Sequence, residues 1–494
     1  MNGPRSWRTQ QRPDPGLRTL VVGAGEAGRT VARDLRRTIE YGLWPVAFLD
    51  DDHYLRSVAG LPVAGTIGDL PDVARRERAQ AVIIAIPGLP TARIAAIGRV
   101  AGGCGLAVRY LPSFVNALER DARLADLRTL DVASLLGRQE LHVASPSAQT
   151  LIAGGRVLVT GAGGSIGSEL CRQIGGYQPA ALFLLDHDES NLHRLQLEVT
   201  GSGLLDSDEI IIADIRDRAR IGQVIAAVRP DVVFHAAAHK HLPLLERHPC
   251  EGVKSNVLGT QILVDAARAH GVQRFVLIST DKAADPTSVL GATKRLAELV
   301  VRSGADGPMD CGSVRFGNVL GSRGSFLSIL AEQVAQGGPV TVTHPDVTRF
   351  FMTVEEAVGL VLEAATMVED GETFVLDMGE PVRIVDLVTS YVDQLHLPVP
   401  TIRFTGLRPG EKLHEVVFSA RESRLRTAHP KIWATRISGD PARLYLLLDT
   451  LYAAADDNDC ERVRELLHRL LPEYTISRRR EPLAAVSAPY PDGF

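Results

Sequence analysis

The segment Arg156–Gly167, with the sequence RVLVTGAGGSIG, constrains the fold of this chain more than any other. Its apolar residues Val157–Val159 are typical of a buried parallel strand. The strand leads directly into a turn that contains three glycines, Gly161, Gly164 and Gly167, and the pattern after the turn is helical. A strand, a tight glycine turn and a helix N-terminus together form a cradle for the pyrophosphate of a dinucleotide.

The residues around this turn indicate which dinucleotide it would hold. Ser165 and Ile166 begin the predicted helix, where backbone N–H groups point towards a bound phosphate. Asp186 ends the next apolar run, ALFLLD, 19 residues after Gly167. A carboxylate at that position suits the 2′-hydroxyl of the adenosine ribose, which favours NAD over NADP. The sequence therefore predicts an NAD site.

The length and charge of the chain indicate its number of domains and the partners that it does not attract. A chain of 494 residues suggests about three domains, or two with a tail. Its hydrophobic content of 45% and charged content of 23% are those of a globular protein. The net charge of −5 predicts no general attraction to nucleic acid.

Five cysteines are far apart, and none lies in a C-x-x-C or Cys/His spacing: Cys104, Cys171, Cys250, Cys311 and Cys460. We therefore expect reduced thiols, a cytoplasmic protein and no structural metal. No apolar run reaches the length that spans a bilayer, which predicts no membrane insertion. Residues 1–17 and 478–494 have the composition of a disordered leader and a disordered tail.

A second glycine turn, near the start of the chain, predicts a separate α/β unit over residues 18–116. Gly23, Gly25 and Gly28 have G-x-G-x-x-G spacing between a strand and an amphipathic helix. One hypothesis is that this unit binds a nucleotide or an effector, and the other is that it serves packing or oligomer contacts. The sequence supports both equally. Residues 117–150 are interpreted as a linker.

Residues 151–425 are predicted to form a larger domain of the same class. Strand-like runs alternate there with helical patterns, at Val157–Thr160, Leu182–Asp186, Glu209–Ile212, Val232–Ala236 and Phe275–Ser279. Alternation of this kind produces right-handed βαβ crossovers and a doubly wound parallel sheet. The predicted fold class is thus α/β, with two tandem Rossmann-like units.

The alternation loosens after Gly317, where helical runs predict a substrate-binding lobe over the C-terminal edge of the sheet. Residues 426–477 contain two leucine-rich helical patterns, Pro441–Ala455 and Asp459–Leu471. Their apolar stripes favour core packing or oligomer contacts over a cofactor site. We therefore expect a C-terminal helical extension and a homo-oligomer.

Candidate binding residues follow the strand ends of the larger domain, at the edge of an open α/β sheet where ligands bind. Asp214 and Ile215 lie where an adenine pocket would form. The small residue Ala236 lets a cofactor pass close over the sheet. All three residues are therefore assigned to the cofactor.

Candidate catalytic residues follow a later strand of the same sheet. Thr280, Asp281 and Lys282 come directly after it, and their side chains would project towards the nicotinamide. Lys294 lies further on, along the next predicted helix. These residues bring hydroxyl, carboxylate and amine groups to the ligand edge.

The ordered motifs of this domain resemble those of one family. They are TGAGGSIGSELCRQI, DHDESNL, HAAAHKHLPLLE, STDKA, GATKRLAE, VRFGNVLGSRGS, TRFFMT and GLRPGEKLHE. The series is similar to the UDP-N-acetylglucosamine 4,6-dehydratases of polysaccharide biosynthesis, a CapD-like group of extended short-chain dehydrogenases/reductases. Long members also carry a small N-terminal Rossmann-like unit, and they usually begin with transmembrane helices. This chain has no such helices, so the resemblance implies a soluble form.

The resemblance implies an internal redox cycle on a UDP-amino sugar. NAD⁺ takes a hydride from C4, and the ketone that forms acidifies the C5 proton. Lys282 would remove that proton, and Asp281 would protonate the departing C6 hydroxyl. These roles require a protonated carboxylic acid and a neutral amine, which burial and neighbours can provide. Because successive strand side chains point to opposite faces, we also expect a turn at Thr280–Ala283.

One residue departs from the usual pattern of short-chain dehydrogenases. Most of them have Tyr-x-x-x-Lys, in which the phenol exchanges the proton of the oxidised hydroxyl. Here Leu290 lies four residues before Lys294, whereas long members of the dehydratase family commonly have Met. The C4 hydroxyl proton must then leave through Thr280, Lys282 or water. Lys294 keeps a role at the cofactor ribose.

The resemblance assigns five residues to the nucleotide sugar: Asn318, Arg323, Arg349, Arg408 and Glu411. Arg408 and Glu411 lie in GLRPGEK, the motif with which the superfamily holds UDP. A guanidinium grips phosphate oxygens in bidentate fashion, and a carboxylate accepts hydrogen bonds from ribose hydroxyls. The other three residues would complete the diphosphate and substrate contacts.

The leading hypothesis is an NAD-dependent 4,6-dehydratase that acts on UDP-N-acetylglucosamine or a close UDP-amino sugar. A nucleotide-sugar epimerase or oxidoreductase is the alternative among enzymes, although the pair Asp281 and Lys282 favours elimination. A non-catalytic sensor subunit that binds NAD and a UDP-sugar is the alternative outside enzymes. Leu290 keeps that alternative open.

Overall fold

The computed structural model describes residues 16–37, 43–52, 56–86, 93, 97, 100–101, 104, 106–110, 146–200, 207–305, 307–322, 325–394, 399–436 and 441–475. The chain divides into two compact units, Met1–Leu130 and Asp131–Phe494. Most of the predicted leader and linker lie outside the described residues, as does the whole predicted tail. Those three predictions therefore stay predictions.

The first unit is a small α/β fold. Its elements are β1 (Leu17–Val22), α1 (Glu26–Arg37), β2 (Leu43–Leu49), β3 (Ser57–Val58), β4 (Leu61–Pro62), α2 (Leu70–Arg76), β5 (Ala81–Ile84) and β6 (Ala107–Tyr110). Four strands form a parallel sheet in the order β2–β1–β5–β6. Leu20, Val21 and Val22 of the inner strand β1 are fully buried, as expected for a strand covered on both faces. The Rossmann-like class predicted for this unit is confirmed.

The second unit begins with a regular alternation of strands and helices. The elements are α3 (Pro146–Ile152), β7 (Arg156–Thr160), α4 (Ser165–Gly176), β8 (Ala181–Asp186), α5 (Glu189–Thr200), β9 (Ile210–Ile212), α6 (Arg218–Val228), β10 (Val232–His235), α7 (Leu242–Arg247), α8 (Pro249–Gly252), a π-helix (Val253–Leu258), α9 (Gly259–Ala269), β11 (Arg274–Ile278), a 3₁₀ turn (Asp281–Ala283), α10 (Val289–Ser303) and β12 (Asp310–Arg315). Ala148 and Ile152 of α3 belong to the apolar core. The folded unit therefore includes residues before the predicted domain start at Leu151.

The remaining elements are shorter strands and longer helices. They are β13 (Asn318–Leu320), α11 (Phe326–Ala335), β14 (Val340–Val342), β15 (Thr348–Arg349), β16 (Phe351–Thr353), α12 (Val354–Thr366), β17 (Asp370–Leu376), β18 (Val382–Arg383), α13 (Ile384–Gln394), β19 (Ile402–Phe404), β20 (Leu425–Arg426), β21 (Ile432–Thr435), α14 (Pro441–Asp456) and α15 (Cys460–Leu470). Small two-stranded pairs, β13 with β16, β14 with β19 and β15 with β18, lie outside the main sheet. This part matches the predicted loosening of the alternation after Gly317.

The main sheet of the second unit has nine strands among the described residues, in the order β20–β21–β17–β12–β11–β10–β7–β8–β9. The pairs from β17 to β9 are parallel, which confirms the predicted doubly wound sheet. Strands β21 and β20 extend the sheet with antiparallel pairs, which the sequence did not predict. The strand order reverses between β7 and β10. In open α/β sheets ligands bind in the crevice outside the carboxyl ends of the strands at such a point.

Two apolar clusters cover the two faces of this sheet. Val157, Val159 and Phe234 belong to one cluster, whereas Leu158 and Val233 belong to the other. Successive side chains of a strand point to opposite faces, so a strand buried on both sides needs an uninterrupted apolar run. This requirement explains why the strands of the domain read as continuous apolar segments.

The C-terminal helices α14 and α15 pack against the π-helix and α10. Leu448 and Leu466 lie in one buried apolar cluster with Val253 and Leu296. The buried leucines of the predicted extension therefore serve core packing within the second unit, whereas Leu446 is exposed. None of the described helices is long and apolar enough to cross a membrane.

A buried ion-pair network ties α10, β12 and the C-terminal segments together. Arg315 has no exposed surface, and its guanidinium donates to Glu298 Oε2 at 2.6 Å and to Glu422 Oε2 at 2.8 Å. Arg295 donates to Glu422 Oε1 at 2.6 Å. Burial alone would raise the pKa of Glu422, but hydrogen bonds from Arg315 outweigh it and lower the pKa to about 2. Every charge in the network therefore has a partner.

Replacement of Arg315 should destabilise the second unit. In Arg315→Met, Glu298 and Glu422 lose their shared cation while they stay buried, which costs about 3–5 kcal/mol for a broken buried pair. The measurement is the free energy of unfolding from urea titration. Arg383→Ala is the control, because it breaks the exposed pair of Arg383 and Asp386 and should change stability by about 0.5 kcal/mol or less. Equal stability of the two variants would contradict the role given to the network.

Candidate active site

The glycine turn after β7 is fixed by close backbone contacts. A Cβ atom at Gly161, where φ is +67°, would lie 2.5 Å from the backbone nitrogen of Ala237. A Cβ atom at Gly167 would lie 2.1 Å from the carbonyl oxygen of Gly161. Only glycine allows these distances, so α4 begins directly over the end of β7. Gly164 is the N-cap of α4, and the predicted cofactor residues Ser165 and Ile166 form its first turn.

The carboxylate of Asp186 lies against this turn at the end of β8. Its Oδ2 accepts a hydrogen bond from the N–H of Gly163 at 2.9 Å, and its Oδ1 accepts one from the N–H of Asp188 at 3.1 Å. Each carboxylate oxygen has two lone pairs, so Asp186 retains the capacity to accept from a ribose hydroxyl. The structure thus brings the glycine turn and Asp186 together, as the sequence predicts.

The predicted adenine residues follow β9, next to Asp186. The N–H of Ala213 donates to the carbonyl oxygen of Asp186 at 3.0 Å. Asp214 pairs with Arg216 at 2.7 Å, and hydrogen bonds from Arg216 lower the pKa of that carboxyl. Ile215 is buried against α9, where a Cβ atom on Gly259 would lie 2.7 Å from it. The side chain of Asp214 is partly exposed, whereas Ile215 supports the site from the core.

The chain after β11 turns sharply and brings the candidate catalytic side chains together. We call the segment Thr280–Ala283 the β11 turn. Thr280 is the N-cap of its 3₁₀ residues, and the N–H of Asp281 donates to the carbonyl oxygen of Phe316 at 3.0 Å. Lys282 Nζ donates to Asp281 Oδ1 at 2.9 Å and to Asn318 Oδ1 at 3.1 Å. The turn expected at this position is confirmed, and it overrides the alternation of a regular strand.

Asp281 is fully buried at the centre of this group. Its Oδ1 also accepts from Thr280 Oγ1 at 2.9 Å, whereas its Oδ2 has no hydrogen-bond partner within the described part of the chain. A Cβ atom at Gly317 would lie 3.1 Å from that Oδ2, so glycine leaves the space beside the oxygen open. A buried acceptor without a donor costs free energy, which a bound ligand can recover.

Lys282 carries a proton in this arrangement. Burial alone would lower the pKa of its amine, but the negative charges of Asp281 and Glu415 outweigh burial and raise the pKa above its ordinary value. The side chains of Asp281 and Lys282 therefore rest as an ion pair in the absence of a ligand.

Lys294 reaches the end of β11 from α10. Its Nζ donates to the carbonyl oxygen of Ile278 at 2.6 Å. Burial lowers the pKa of Lys294 to about 8, against the opposing charge of Glu298. Lys294 thus lies at the carboxyl edge of the sheet, where the sequence places a cofactor-ribose contact.

His235, at the end of β10, is a structural residue. Its Nε2 contacts the hydroxyl of Thr260 at 3.0 Å, and its Nδ1 contacts the hydroxyl of Thr160 at 2.7 Å. The Thr260 hydroxyl donates to the carbonyl oxygen of Asn256, so it accepts from Nε2–H. Burial lowers the pKa of His235 to about 3, which keeps the ring neutral. No metal-ligating cluster occurs among the described residues.

Leu290 is buried near the start of α10. It belongs to the apolar cluster that contains Val253 of the π-helix and Leu448 of α14. The position of the usual phenol is therefore occupied by a side chain that packs in the core and has no exchangeable proton.

Two of the predicted substrate residues pair with each other. Arg349 is mostly buried and donates to Glu411 Oε1 at 2.8 Å. Glu411 Oε2 accepts from the backbone N–H of Arg408 at 3.0 Å, and the side chain of Arg408 is exposed. Asn318 lies beside Lys282, as described above. Arg323 lies outside the described residues.

Lys412 and Glu415 also lie beside the β11 turn but were not among the predicted site residues. Lys412 Nζ donates to the carbonyl oxygen of Ala284 at 2.8 Å and lies 3.6 Å from Glu415 Oε2. The composition could have pointed to Lys412, because only six of the 54 basic residues of the chain are lysines. Three of those six, Lys282, Lys294 and Lys412, lie in this region.

The first unit repeats the hydrogen bonds of the second on a smaller scale. Asp50 Oδ2 accepts from the N–H of Ala24 at 2.6 Å, and Asp50 Oδ1 accepts from the N–H of Asp52 at 2.9 Å. A Cβ atom at Gly28 would lie 1.9 Å from the carbonyl oxygen of Gly23. The turn is thus built as in the second unit, and the hypotheses of a bound effector and of a packing role both stay open.

Two family models match the chain. A model described as a CoA-binding domain matches residues 4–101. A model described as polysaccharide biosynthesis protein matches residues 157–437, which is more than half of the chain. The second match covers the glycine turn, the β11 turn and the segment of Arg408 and Glu411.

Known proteins with similar sequences agree with this match. The probable polysaccharide biosynthesis protein EpsC of Bacillus subtilis is 41% identical over 424 residues, which are 84% of this chain and 70% of that protein. A UDP-N-acetylglucosamine 4,6-dehydratase (inverting) of Campylobacter jejuni is 32% identical over 275 residues, which are 54% of this chain and 79% of that protein.

A solved structure supports the same fold. The X-ray structure of Pen from Bacillus thuringiensis is 28% identical, with a TM-score of 0.53, and the match covers 61% of this chain and 99% of that chain. The sequence matches and the nine-stranded sheet lead to one assignment. The chain belongs to the polysaccharide biosynthesis protein family and has the fold of an extended short-chain dehydrogenase/reductase.

Proposed function

We propose that the chain is an NAD-dependent 4,6-dehydratase of UDP-N-acetylglucosamine or a close UDP-amino sugar. Family membership and the named relatives support an enzyme of the nucleotide-sugar dehydratase or epimerase type in polysaccharide biosynthesis. The observation that favours dehydration is the buried pair of Asp281 and Lys282, whose Oδ1 and Nζ atoms are 2.9 Å apart. Elimination of water needs an acid for the leaving hydroxyl and a base for the adjacent carbon, and this pair offers both.

The residues around β7 fit NAD. The backbone contacts of Gly161 and Gly167 leave no space for a side chain, so the turn can approach a pyrophosphate closely. Asp186 would accept from the adenosine ribose, and Lys294 would donate to the ribose next to the nicotinamide. Bound NAD supplies the redox chemistry, the removal of hydride from C4 of the sugar and its return to C6. All other steps are proton transfers by residues of the chain.

Asp281 and Lys282 must change their protonation before elimination. In the resting ion pair Lys282 holds the proton, whereas elimination requires a neutral amine and a protonated acid. Lys282 therefore gives its proton to water before the first turnover, and Asp281 takes up the proton of the C4 hydroxyl when that hydroxyl is oxidised. Lys282 then takes the C5 proton, and Asp281 donates to the leaving C6 hydroxyl. The ion pair is therefore the state that follows elimination.

Thr280 is proposed to carry the proton that Asp281 needs for each cycle. Lys282 takes the C5 proton and returns it, whereas Asp281 gives its proton to the departing water and must regain one. The C4 hydroxyl releases one proton, and Leu290 cannot accept it. Thr280 Oγ1 already donates to Asp281 Oδ1 at 2.9 Å. We infer that the C4 proton passes through the Thr280 hydroxyl to Asp281, which replaces the missing phenol.

The segment after β19 is proposed to hold the UDP group. The exposed guanidinium of Arg408 would bind the diphosphate, and its backbone is fixed by Glu411. Glu411 is also held by Arg349 and by the hydroxyl of Thr343 at 2.9 Å. Glu411 therefore orders the segment in addition to any contact with ribose. Asn318 is proposed to orient Lys282 and the sugar, and Arg323 stays assigned to the substrate.

Incubation with UDP-N-acetylglucosamine and NAD should convert the sugar nucleotide to a product that is lighter by one water. Mass spectrometry of the nucleotide fraction measures this loss. The matched variant Lys282→Met should give no loss of water while it retains NAD binding. A product of unchanged mass with inverted C4 would support the epimerase instead. Tight binding of both ligands without any product would support the sensor.

The charge of Asp186 should select NAD over NADP. In Asp186→Asn the carboxylate no longer repels a 2′-phosphate, so the ratio of the NAD and NADP dissociation constants should move towards unity by roughly tenfold. Isothermal titration calorimetry measures both constants. Asp386→Asn, at an exposed ion pair, serves as the control and should leave the ratio unchanged. An unaltered ratio in Asp186→Asn would refute the ribose contact.

The hydroxyl of Thr280 should be needed for turnover. Thr280→Val keeps the shape of the side chain but removes the proton path, so the dehydration rate should fall by roughly 10²–10⁴-fold, the usual contribution of a proton-transfer group. NAD affinity should stay within twofold of the wild type. Thr280→Ser restores the hydroxyl and should recover most of the rate. Full activity of the valine variant would show that the C4 proton leaves by another route.

A further inference from the structure

Lys412 anchors the end of the β11 turn from a distant part of the chain. Its Nζ donates at 2.8 Å to the carbonyl oxygen of Ala284, the residue directly after the turn. The hydroxyl of Thr287 donates to the carbonyl oxygen of Gly410 at 3.0 Å, and Ser419 Oγ contacts the carboxylate of Asp285. The segment from 410 to 419 therefore lies along residues 284–287 and restricts their movement.

Glu415 is a buried carboxylate on the same segment. Its side chain is only 2% exposed, and its Oε2 has no hydrogen-bond partner among the described residues, although Lys412 Nζ lies 3.6 Å away. An anion in such a place is stable only near positive charge. The negative charge of this carboxylate raises the pKa of the Lys282 amine. Lys412 and Glu415 are thus a second amine and carboxylate beside Asp281 and Lys282.

Lysine at position 412 is unusual in this chain and indicates a specific role for its ammonium group. Arginine supplies 48 of its 54 basic residues, so a lysine is the exception. The ammonium of lysine is compact, and it can form one short bond to a carbonyl oxygen where a planar guanidinium needs more room. Lys412 is largely buried against the turn and takes part in an ion pair with Glu415. A general surface role does not explain that placement.

We propose that Lys412 and Glu415 are positioning residues that hold the β11 turn and set the charge of Lys282. Neither residue touches the sugar in this proposal. Glu415 favours the charged amine of Lys282, and Lys412 favours the neutral amine while it fixes the turn. The inference rests on the proposed function, because it gives Lys282 the role of the base.

The two residues must act on Lys282 in opposite directions. Loss of the negative charge in Glu415→Gln makes the proton of Lys282 easier to remove, so its pKa falls. Loss of the positive charge in Lys412→Met has the reverse effect, so the pKa rises. The other charged groups near Lys282 are Asp281 on its own turn and Arg349 on β15, with Asp285 close to Lys412. None of these groups changes in either variant.

The first test is the pH profile of kcat/KM for dehydration. The acidic limb reports formation of the neutral base. We expect this limb to move by roughly one pH unit to lower pH in Glu415→Gln, and in the opposite direction in Lys412→Met. Lys412→Arg keeps the charge, so it should move the limb less than Lys412→Met does. Lys431→Met, outside the site, is the control and should leave the limb unchanged.

The second test measures Lys282 directly and does not depend on turnover. Six lysines give few signals in a protein labelled with ¹³C at lysine Cε, and the Lys282 signal is the one that Lys282→Arg removes. Its titration midpoint should fall in Glu415→Gln and rise in Lys412→Met. Unchanged midpoints, or midpoints that move in the same direction, would overturn the inference.

The two tests separate the inference from the proposed function. Opposite shifts of the Lys282 midpoint in a protein that does not release water from the sugar would refute the dehydratase and retain the charge control. A wild type that dehydrates the sugar, with a limb and a midpoint that neither variant moves, would refute the positioning role and retain the dehydratase.

Discussion

The close passage of the chain after β7 against the chain after β10 is the constraint on which the larger domain depends. Gly161 lies so near Ala237 that a Cβ atom would be 2.5 Å from its backbone nitrogen, so no other residue fits. This contact lies where the strand order reverses, and it places α4 over the strand ends. The same edge of the sheet then receives Asp186 from β8 and the β11 turn from β11. The proposed binding groups and proton-transfer groups therefore meet because Gly161 and Gly167 have no side chain.

The second requirement is the arrangement of buried charge behind this edge. Arg315 neutralises Glu298 of α10, and Ser279, next to the β11 turn, donates to Glu298 Oε1 at 2.6 Å. Asp281 and Lys282 form a second ion pair within the β11 turn, in which Asp281 is fully buried. A buried charge without a partner would shift its pKa until it became neutral. Pairing lets the site keep a buried carboxyl group and an amine that can each gain or lose a proton.

Much of this arrangement could be predicted from the sequence, because it depends on local patterns. Continuous apolar runs marked the parallel strands, and glycine spacing marked the turn at Gly161. The need for a turn at Asp281 followed from the alternation of strand side chains. The antiparallel strands β20 and β21 were missed because both are short and only β21 joins the sheet, through the distant strand β17. The pair of Arg349 and Glu411 was missed for a related reason, since 62 residues separate the two.

The pattern around Leu290 shows how packing and chemistry are linked in this chain. Leu290 lies in one apolar cluster with residues of the C-terminal helix α14, so this position serves packing and offers no hydroxyl. Burial of an unpaired hydroxyl costs free energy, and the apolar side chain avoids that cost. The proposed proton path therefore starts from a residue outside this cluster. Thr280 meets that condition, because its hydroxyl donates to Asp281 Oδ1 at 2.9 Å and belongs to the β11 turn. The packing of the C-terminal helices against α10 and the proposed use of Thr280 in place of a phenol are therefore compatible.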